Sequence, residues 1–245
     1  RIDPKPINVT VDDDGNYLAW YRLGRGQKID VLTVGSAKLY TRSKIKDPVL
    51  PEALREKYTR ENKYWEKDNP QIQATVKEIG GDIKLIYRYV VNTLKYDSER
   101  LQDTGSGGVD RLGALTALNN PSTAVCMEFT DLFIALARAA GIPARELNGF
   151  AYTSNPKLRP LSLTKDILHA WPEYWDESRG WVMVDPTWEN TTGGVDYFSK
   201  LDLNHFAFVV KGSSSEQPIP AGSYKYVGQD THDVKVNLSE NDFLG

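Results

Sequence analysis

Three side chains in this sequence are of the types that acyl chemistry uses. Cys126 is the only cysteine, His169 is one of three histidines, and Asp185 follows in an Asp-Pro pair. A thiolate attacks an acyl carbonyl, an imidazole activates the thiol and shuttles its proton, and a carboxylate fixes the imidazole tautomer. Each residue also has an ordinary reading. A lone cysteine is often a small buried hydrophobe, a lone histidine a hydrogen-bonded core residue, and Asp before Pro a turn at a strand end. The chemical reading holds only if the chain brings the three together.

The element around Cys126 is a helix. Phe129, Leu132, Phe133, Leu136 and Ala140 fall on one helical face, and Ile134, Ala135 and Ala139 make most of the rest apolar too. That composition predicts a helix buried on all sides. Ser122 and Thr123 stand upstream as N-caps, and Gly141 and Pro143 supply the stop. Cys126 then occupies the first turn, where partial positive charge and free N–H groups favour thiolate over thiol.

His169 and Asp185 belong to a second element. Two β-rich runs, residues 167–175 and 181–188, flank the polar loop 176–180 and read as a hairpin. If Trp175 pairs with Trp181, Trp171 faces Asp185 and His169 faces Thr187. His169 and Asp185 are then diagonal neighbours with Cβ atoms about 7–8 Å apart or somewhat less, within reach of an imidazole–carboxylate hydrogen bond. Ala170, Tyr174, Val182 and Val184 point to the opposite, core face. A slip of one residue would undo this geometry.

The chain has 245 residues, 40% hydrophobic and 26% charged, enough for a sizeable core without covalent staples. A net charge of −3 and a pI near 5.7 provide no basic field for nucleic acid or anionic membranes. No apolar run approaches a membrane span, and one cysteine excludes an intrachain disulfide framework or a Cys-rich zinc site. The chain opens at Arg1 without an initiator Met, which reads as a mature or trimmed fragment. Residues 7–11, 17–21, 28–34 and 37–40 read as a small antiparallel β unit, with turns at 12–16 and 23–27. From Pro51 the texture becomes charged and helical. Asn69-Pro70 starts one helix, which Gly80-Gly81 breaks, and Ile83, Ile86, Tyr87, Val90 and Leu94 mark the next. Residues 98–110 read as a loop able to border a cleft, 111–118 as a short helix, 144–152 as a strand, and 153–165 as an exposed loop. Beyond Trp188, 190–194 reads as a loop, 195–198 as a short edge, and 205–210, 224–227 and 233–237 as strands. His205 and His232 read as structural or exposed. Asn8, Asn190 and Asn237 begin glycosylation-type triplets of the kind that arise often by chance.

With these residues in view, the chain resembles the transglutaminase-like superfamily. The matching pieces are Cys126-Met-Glu-Phe with its helix running into Gly141-Ile-Pro-Ala-Arg145, then His169-Ala-Trp171, then Gly180-Trp-Val-Met-Val-Asp185-Pro-Thr-Trp188, over about residues 69–212. One departure is Ala124, where the family often has glycine two residues before the cysteine; this could narrow the approach to the thiol. The resemblance implies an α+β, papain-like core: a cysteine-bearing helix packed on an antiparallel sheet, residues 48–245, after an N-terminal β segment, residues 1–47, that reads as the end of a larger β-domain. It implies acyl chemistry on amides of peptides or proteins: hydrolysis, deamidation or crosslinking. Cys126 carries over as nucleophile, His169 as general base and acid, and Asp185 as orienter. The Cys126 N–H is the first oxyanion donor, and Asn119, Asn120 or Trp171 stand as second donors, Trp171 and Asn120 also as substrate contacts. Open polar loops favour water over an amine as acceptor. The alternatives are a crosslinking transglutaminase and a non-catalytic scaffold that keeps the fold. No EF-hand, phosphate-loop or His-rich metal motif is present, so no cofactor is expected, although a calcium site of scattered loop oxygens stays open. A peptide or protein substrate, no nucleic acid, no membrane contact within this fragment, and an extracytoplasmic setting complete the expectation.

Overall fold

In the computed structural model, which describes residues 1–40, 45–102, 110–153, 155 and 168–218, the chain begins with two small antiparallel pairs. β1 (Ile2–Asp3) pairs with β4 (Leu32–Thr33), and β2 (Asn8–Val11) with β3 (Tyr17–Trp20). The strands expected over 28–34 and 37–40 contract to β4. Among the described residues no second layer covers these ribbons: Ile7, Val9, Val11, Tyr17 and Trp20 are exposed, and an uncovered two-stranded ribbon has little to extend it. The turn between β2 and β3 is tied by Asp12, whose Oδ1 accepts the backbone N–H of Asp14 and Asn16.

Helices follow: α1 (Glu52–Tyr58), α2 (Pro70–Ile79), α3 (Ile83–Thr93), α4 (Ser98–Gln102), α5 (Ala114–Asn119) and α6 (Cys126–Ala139). The boundaries of α2 and α3 obey the capping rules. Asn69 accepts the Gln71 N–H ahead of Pro70, Gly80 closes α2 at φ 96°, and Asp82 accepts the N–H groups of Lys84 and Leu85. The expected loop 98–110 opens with α4; its residues 103–109 lie outside the described set, as do 156–165, His232, Asn237 and the strands expected at 224–227 and 233–237.

α6 is the axis of the core. Every residue from Glu128 to Arg138 is buried, against α2, α3 and α5 on one side and the sheet on the other. Phe129, Leu132, Phe133 and Leu136 pack with Ile72, Ile86, Val90 and Tyr174. Burial on all sides forces its polar residues into pairs. Asp131 is held by Arg111 and by the Trp65 indole N–H, Arg111 also binds Glu146, and Arg138 donates to the carbonyls of Ala144, Arg60 and Gly212. Burial favours the neutral acid at Asp131, and although Arg111 opposes it, the pKa stands at about 7.

The main sheet has four antiparallel strands in the order β7 (Gly180–Met183), β6 (Leu168–Asp176), β5 (Ala144–Ala151), β8 (His205–Lys211). The predicted register holds from Glu173–Met183 to Trp175–Trp181, but β7 ends at Met183, so the expected strand pairs Trp171–Asp185 and His169–Thr187 do not form. Tyr174 and Val184 join the α6 core with Val182 packed against it, and Ala170 is buried with its carbonyl accepting the Thr130 hydroxyl of α6. His169 and Trp171 are buried as well: Trp188 of α7 (Pro186–Thr191) lies against His169, and His205 against both. The loop expected at 190–194 thus begins as helix, and 195–198 forms no strand.

β8 approaches β5 through a bulge beside Gly149. A Cβ at Gly149 would stand 1.9 Å from the Phe206 carbonyl oxygen. Only glycine fits that backbone approach. Gly149→Ala is therefore expected to cost about 1–3 kcal/mol in urea unfolding, and an unchanged midpoint would show that β8 sits elsewhere.

Candidate active site

The approach to Cys126 is anchored at several points. Lys95 N–H donates to Pro121 O and Asp97 N–H to Ala124 O, each at 2.8 Å. Glu128, at the third position of α6, reaches back to accept the Val125 N–H at 2.9 Å and also takes the Leu112 N–H and the Arg100 guanidinium. Ser122 and Thr123 lie in a 3-10 turn, so Val125 is the N-cap and Glu128 supplies the reach-back in place of an N-cap hydroxyl. Ala124 has φ −85° and ψ 135°, extended backbone that needs no glycine. Cys126 thereby starts α6, half-buried, and its first-turn N–H has no partner within the helix.

His169 and Asp185 meet as the register argument required. His169 Nε2 stands 2.8 Å from Asp185 Oδ2, both side chains fully buried. Asp185 is not a strand residue, however. It is the N-cap of α7, with Pro186 at the first helical position, and its Oδ1 accepts the Trp188 N–H at 2.9 Å. Its backbone is held too: the N–H donates to Tyr197 O, and the carbonyl accepts the Tyr87 hydroxyl. The Cys126 thiol neighbours the imidazole, whose Nδ1 has no protein partner. Burial works against the imidazolium, but the charge and hydrogen bond of Asp185, with a smaller effect of Cys126, raise the His169 pKa to about 9. Burial likewise favours the neutral acid at Asp185, yet His169 and then His205 hold it far below the usual carboxylate range.

His205 is the residue sequence reasoning missed. It is fully buried, with Nε2 2.9 Å from Asp185 Oδ2 and Nδ1 3.0 Å from Asp202 Oδ1. The signal lay in strand pairing. His169 pairs with Gly149 and His205 with Ala151, so the two imidazoles flank small residues on one face of β5. Trp171 lies against the site, its ring 5.7 Å from that of His169, with a buried Nε1 that has no protein partner. Asn120 is exposed at the end of α5, where its amide donates to Thr116 O, and the fold uses it as a turn residue. The donor atoms of His169, Asp185 and His205 lie within 4.8 Å of one another. Among the described residues, no helix is long and apolar enough to cross a membrane.

Residues 69–186 match the family model of the transglutaminase-like superfamily. Among curated relatives, a protein-glutamine gamma-glutamyltransferase from Pseudomonas aeruginosa is 36% identical over 87 residues, 35% of this chain and 12% of that protein. An uncharacterized protein of Mycobacterium tuberculosis is 24% identical over 210 residues, 76% of this chain and 65% of its own length. This chain therefore spans less than two thirds of either relative. A solved structure of a proposed cysteine protease from Cytophaga hutchinsonii aligns with 56% of this chain and 43% of its own, at 26% identity and a TM-score of 0.43.

The shifted groups fix a pH window. The carboxylates of Asp185 and Asp202 are depressed, so their contribution is present above about pH 4 and is lost as the medium becomes more acid. Those of His169 and His205 are raised, so theirs is complete below about pH 6.5 and declines, for His169, as pH rises through about 9. The thermal midpoint should therefore fall between pH 6.5 and 9.5, and fall less in His169→Gln. Parallel curves for the two proteins would contradict this account.

Proposed function

Taking residues 69–186 as the transglutaminase-like domain that they are, we propose that this chain is a cysteine-dependent acyl-transfer enzyme. Its substrates are amide bonds in peptides or proteins, and its intermediate is a thioester. The observation that carries the reading is the position of His169, bound at Nε2 to a buried carboxylate 2.8 Å away and neighboured by the thiol that begins α6.

Cys126 is the nucleophile, and as a thiolate paired with the His169 imidazolium it attacks the amide carbon. The oxyanion that forms lies at the start of α6, where the Cys126 N–H stabilises it. His169 then gives its Nδ1 proton to the leaving amine, the C–N bond breaks, and the thioester remains. The acceptor attacks next, His169 takes its proton, and the thiolate departs. Asp185 retains the Nε2 proton throughout, which keeps Nδ1 as the working nitrogen. The catalytic unit in this reading is residues 48–245, with 1–47 as a small N-terminal β segment. A scaffold role without chemistry has less in its favour, because a scaffold needs no carboxylate buried against this imidazole.

Water is the acceptor we favour, on the polar, Gly- and Pro-containing sequences of residues 98–110 and 153–165. The second reading, amine transfer, draws on the Pseudomonas gamma-glutamyltransferase relative. Mass spectrometry of peptide mixtures incubated with the protein and a labelled primary amine separates the two. Hydrolysis predicts cleavage or deamidation without label; label at glutamine without cleavage, absent in Cys126→Ala, would favour the amine.

Two further outcomes test the site itself. Iodoacetamide labelling of Cys126 should persist near pH 6 and drop in His169→Ala, whereas a curve rising only at pH 8–9 and indifferent to that change would sink the catalytic reading. Asp185→Asn should keep α7, since asparagine caps helices as well as aspartate does. It should still lose activity about 10²–10⁴-fold through the wrong tautomer. Equal activity would reduce Asp185 to a cap.

A further inference from the structure

The acyl-transfer reading uses three residues and leaves unexplained a second buried imidazole on the same carboxylate. We propose that His205, held as an imidazolium by Asp202, is a positioning residue that keeps Asp185 ionised and aligned on His169, so that the working unit is a chain of five groups: Cys126, His169, Asp185, His205 and Asp202. The inference rests on the acyl-transfer reading for its consequence, and on hydrogen-bond counting for its substance.

An ionised carboxylate only accepts hydrogen bonds. Asp185 Oδ2 stands 2.8 and 2.9 Å from two Nε2 atoms, and its Oδ1 accepts the Trp188 N–H; three donors converging on one carboxylate favour its ionised form over the acid. Asp202 is satisfied in the same sense: its Oδ1 accepts the Asn204 N–H and its Oδ2 the Asn204 side-chain amide. With both carboxylates ionised, the Nε2 and Nδ1 contacts of His205 are hydrogen bonds only if each nitrogen carries a proton. His205 is then a cation, fully buried, and a buried cation persists only when paired. The two carboxylates and His205 together leave one net negative charge, the complement of a His169 imidazolium.

The surroundings admit no competing partner among the described residues. Facing His205 are His169 and Trp171 from β6, Asp185 and Trp188 from α7, and Tyr197 and Asp202 from the segment before β8. Tyr87 meets Asp185 at its backbone carbonyl, not its carboxylate. Burial opposes the charge on His205, and the hydrogen bonds to Asp185 and Asp202 overcome it.

A positive charge whose ring centre lies 6.0 Å from that of His169 must act on the thiol–imidazole pair. Its loss makes each proton harder to remove, so the alkylation curve of Cys126 should move to higher pH in His205→Gln, by about one unit. Glutamine can still donate to Asp185, so a residue that merely filled space or bonded there would leave the curve unmoved.

Two measurements on the full chain decide the matter. The first is nitrogen NMR of protein labelled at its three histidines. His205 should hold protons on both ring nitrogens at and above the pH at which a free imidazole loses one, about 6.5, and a neutral His205 with one protonated nitrogen there would overturn the proposal. The second is the iodoacetamide rate against pH. A wild-type curve already high near pH 6 with an unshifted His205→Gln curve refutes the role of His205 alone, whereas a wild-type curve rising only at pH 8–9 refutes the acyl-transfer reading. Should His205→Gln fail to fold, the wild-type NMR result stands as the deciding one.

Discussion

A single carboxylate, shut away from water, ties the parts of this molecule together. Asp185 ends the β6–β7 hairpin, begins α7, accepts from imidazoles on β6 and β8, and has its backbone pinned by Tyr197 and Tyr87. Removing such an ion from water costs several kcal/mol even after relaxation. The cost is offset only while all its donors are in place, which couples helix, hairpin and edge strand to one another. The same requirement gives the site its rigidity: an imidazole whose one nitrogen is held at 2.8 Å by a fixed acceptor has little freedom to turn the other.

Small side chains make that convergence possible. Gly149 and Ala151 occupy the middle strand where His169 and His205 lean in from either side. A side chain at Gly149 would collide with the backbone of β8 at Phe206 and Ala207 and push away the strand that carries His205. Trp171, Trp188 and Tyr197 then wall the group, lowering the local dielectric and strengthening each charge–charge contact inside it.

Much of this was legible in the residues. The apolar surface of the Cys126 helix foretold its burial, because a helix apolar on all sides has no face for water. The polar turn 176–180 between two β-rich runs foretold a hairpin, and pairing Trp175 with Trp181 across it brought His169 and Asp185 within reach. What escaped was non-local. That Asp185 is a helix cap depends on the Pro186 start signal, which competes with strand continuation and wins because α7 buries Trp188. His205 depends on β8 pairing with β5 across more than fifty residues of chain and through a bulge, and no local pattern encodes either. The strands over 28–34 and 37–40 were overread for the opposite reason: alternation was present, but among the described residues no layer packs on the ribbons to reward it.

The turn between β2 and β3 touches the sheet at its open edge. Asn16 exchanges two hydrogen bonds with the backbone of Val210, accepting its N–H and donating to its carbonyl, while Asp14 takes the N–H groups of Gly212 and Ser213. One side-chain amide thus impersonates a neighbouring strand. An edge left bare would invite pairing with another chain, and β8 is the strand that carries His205. The amino-terminal ribbons, for all their exposed apolar surface, therefore serve as a bolt: they close the sheet against strangers at the strand on which the buried imidazole is mounted.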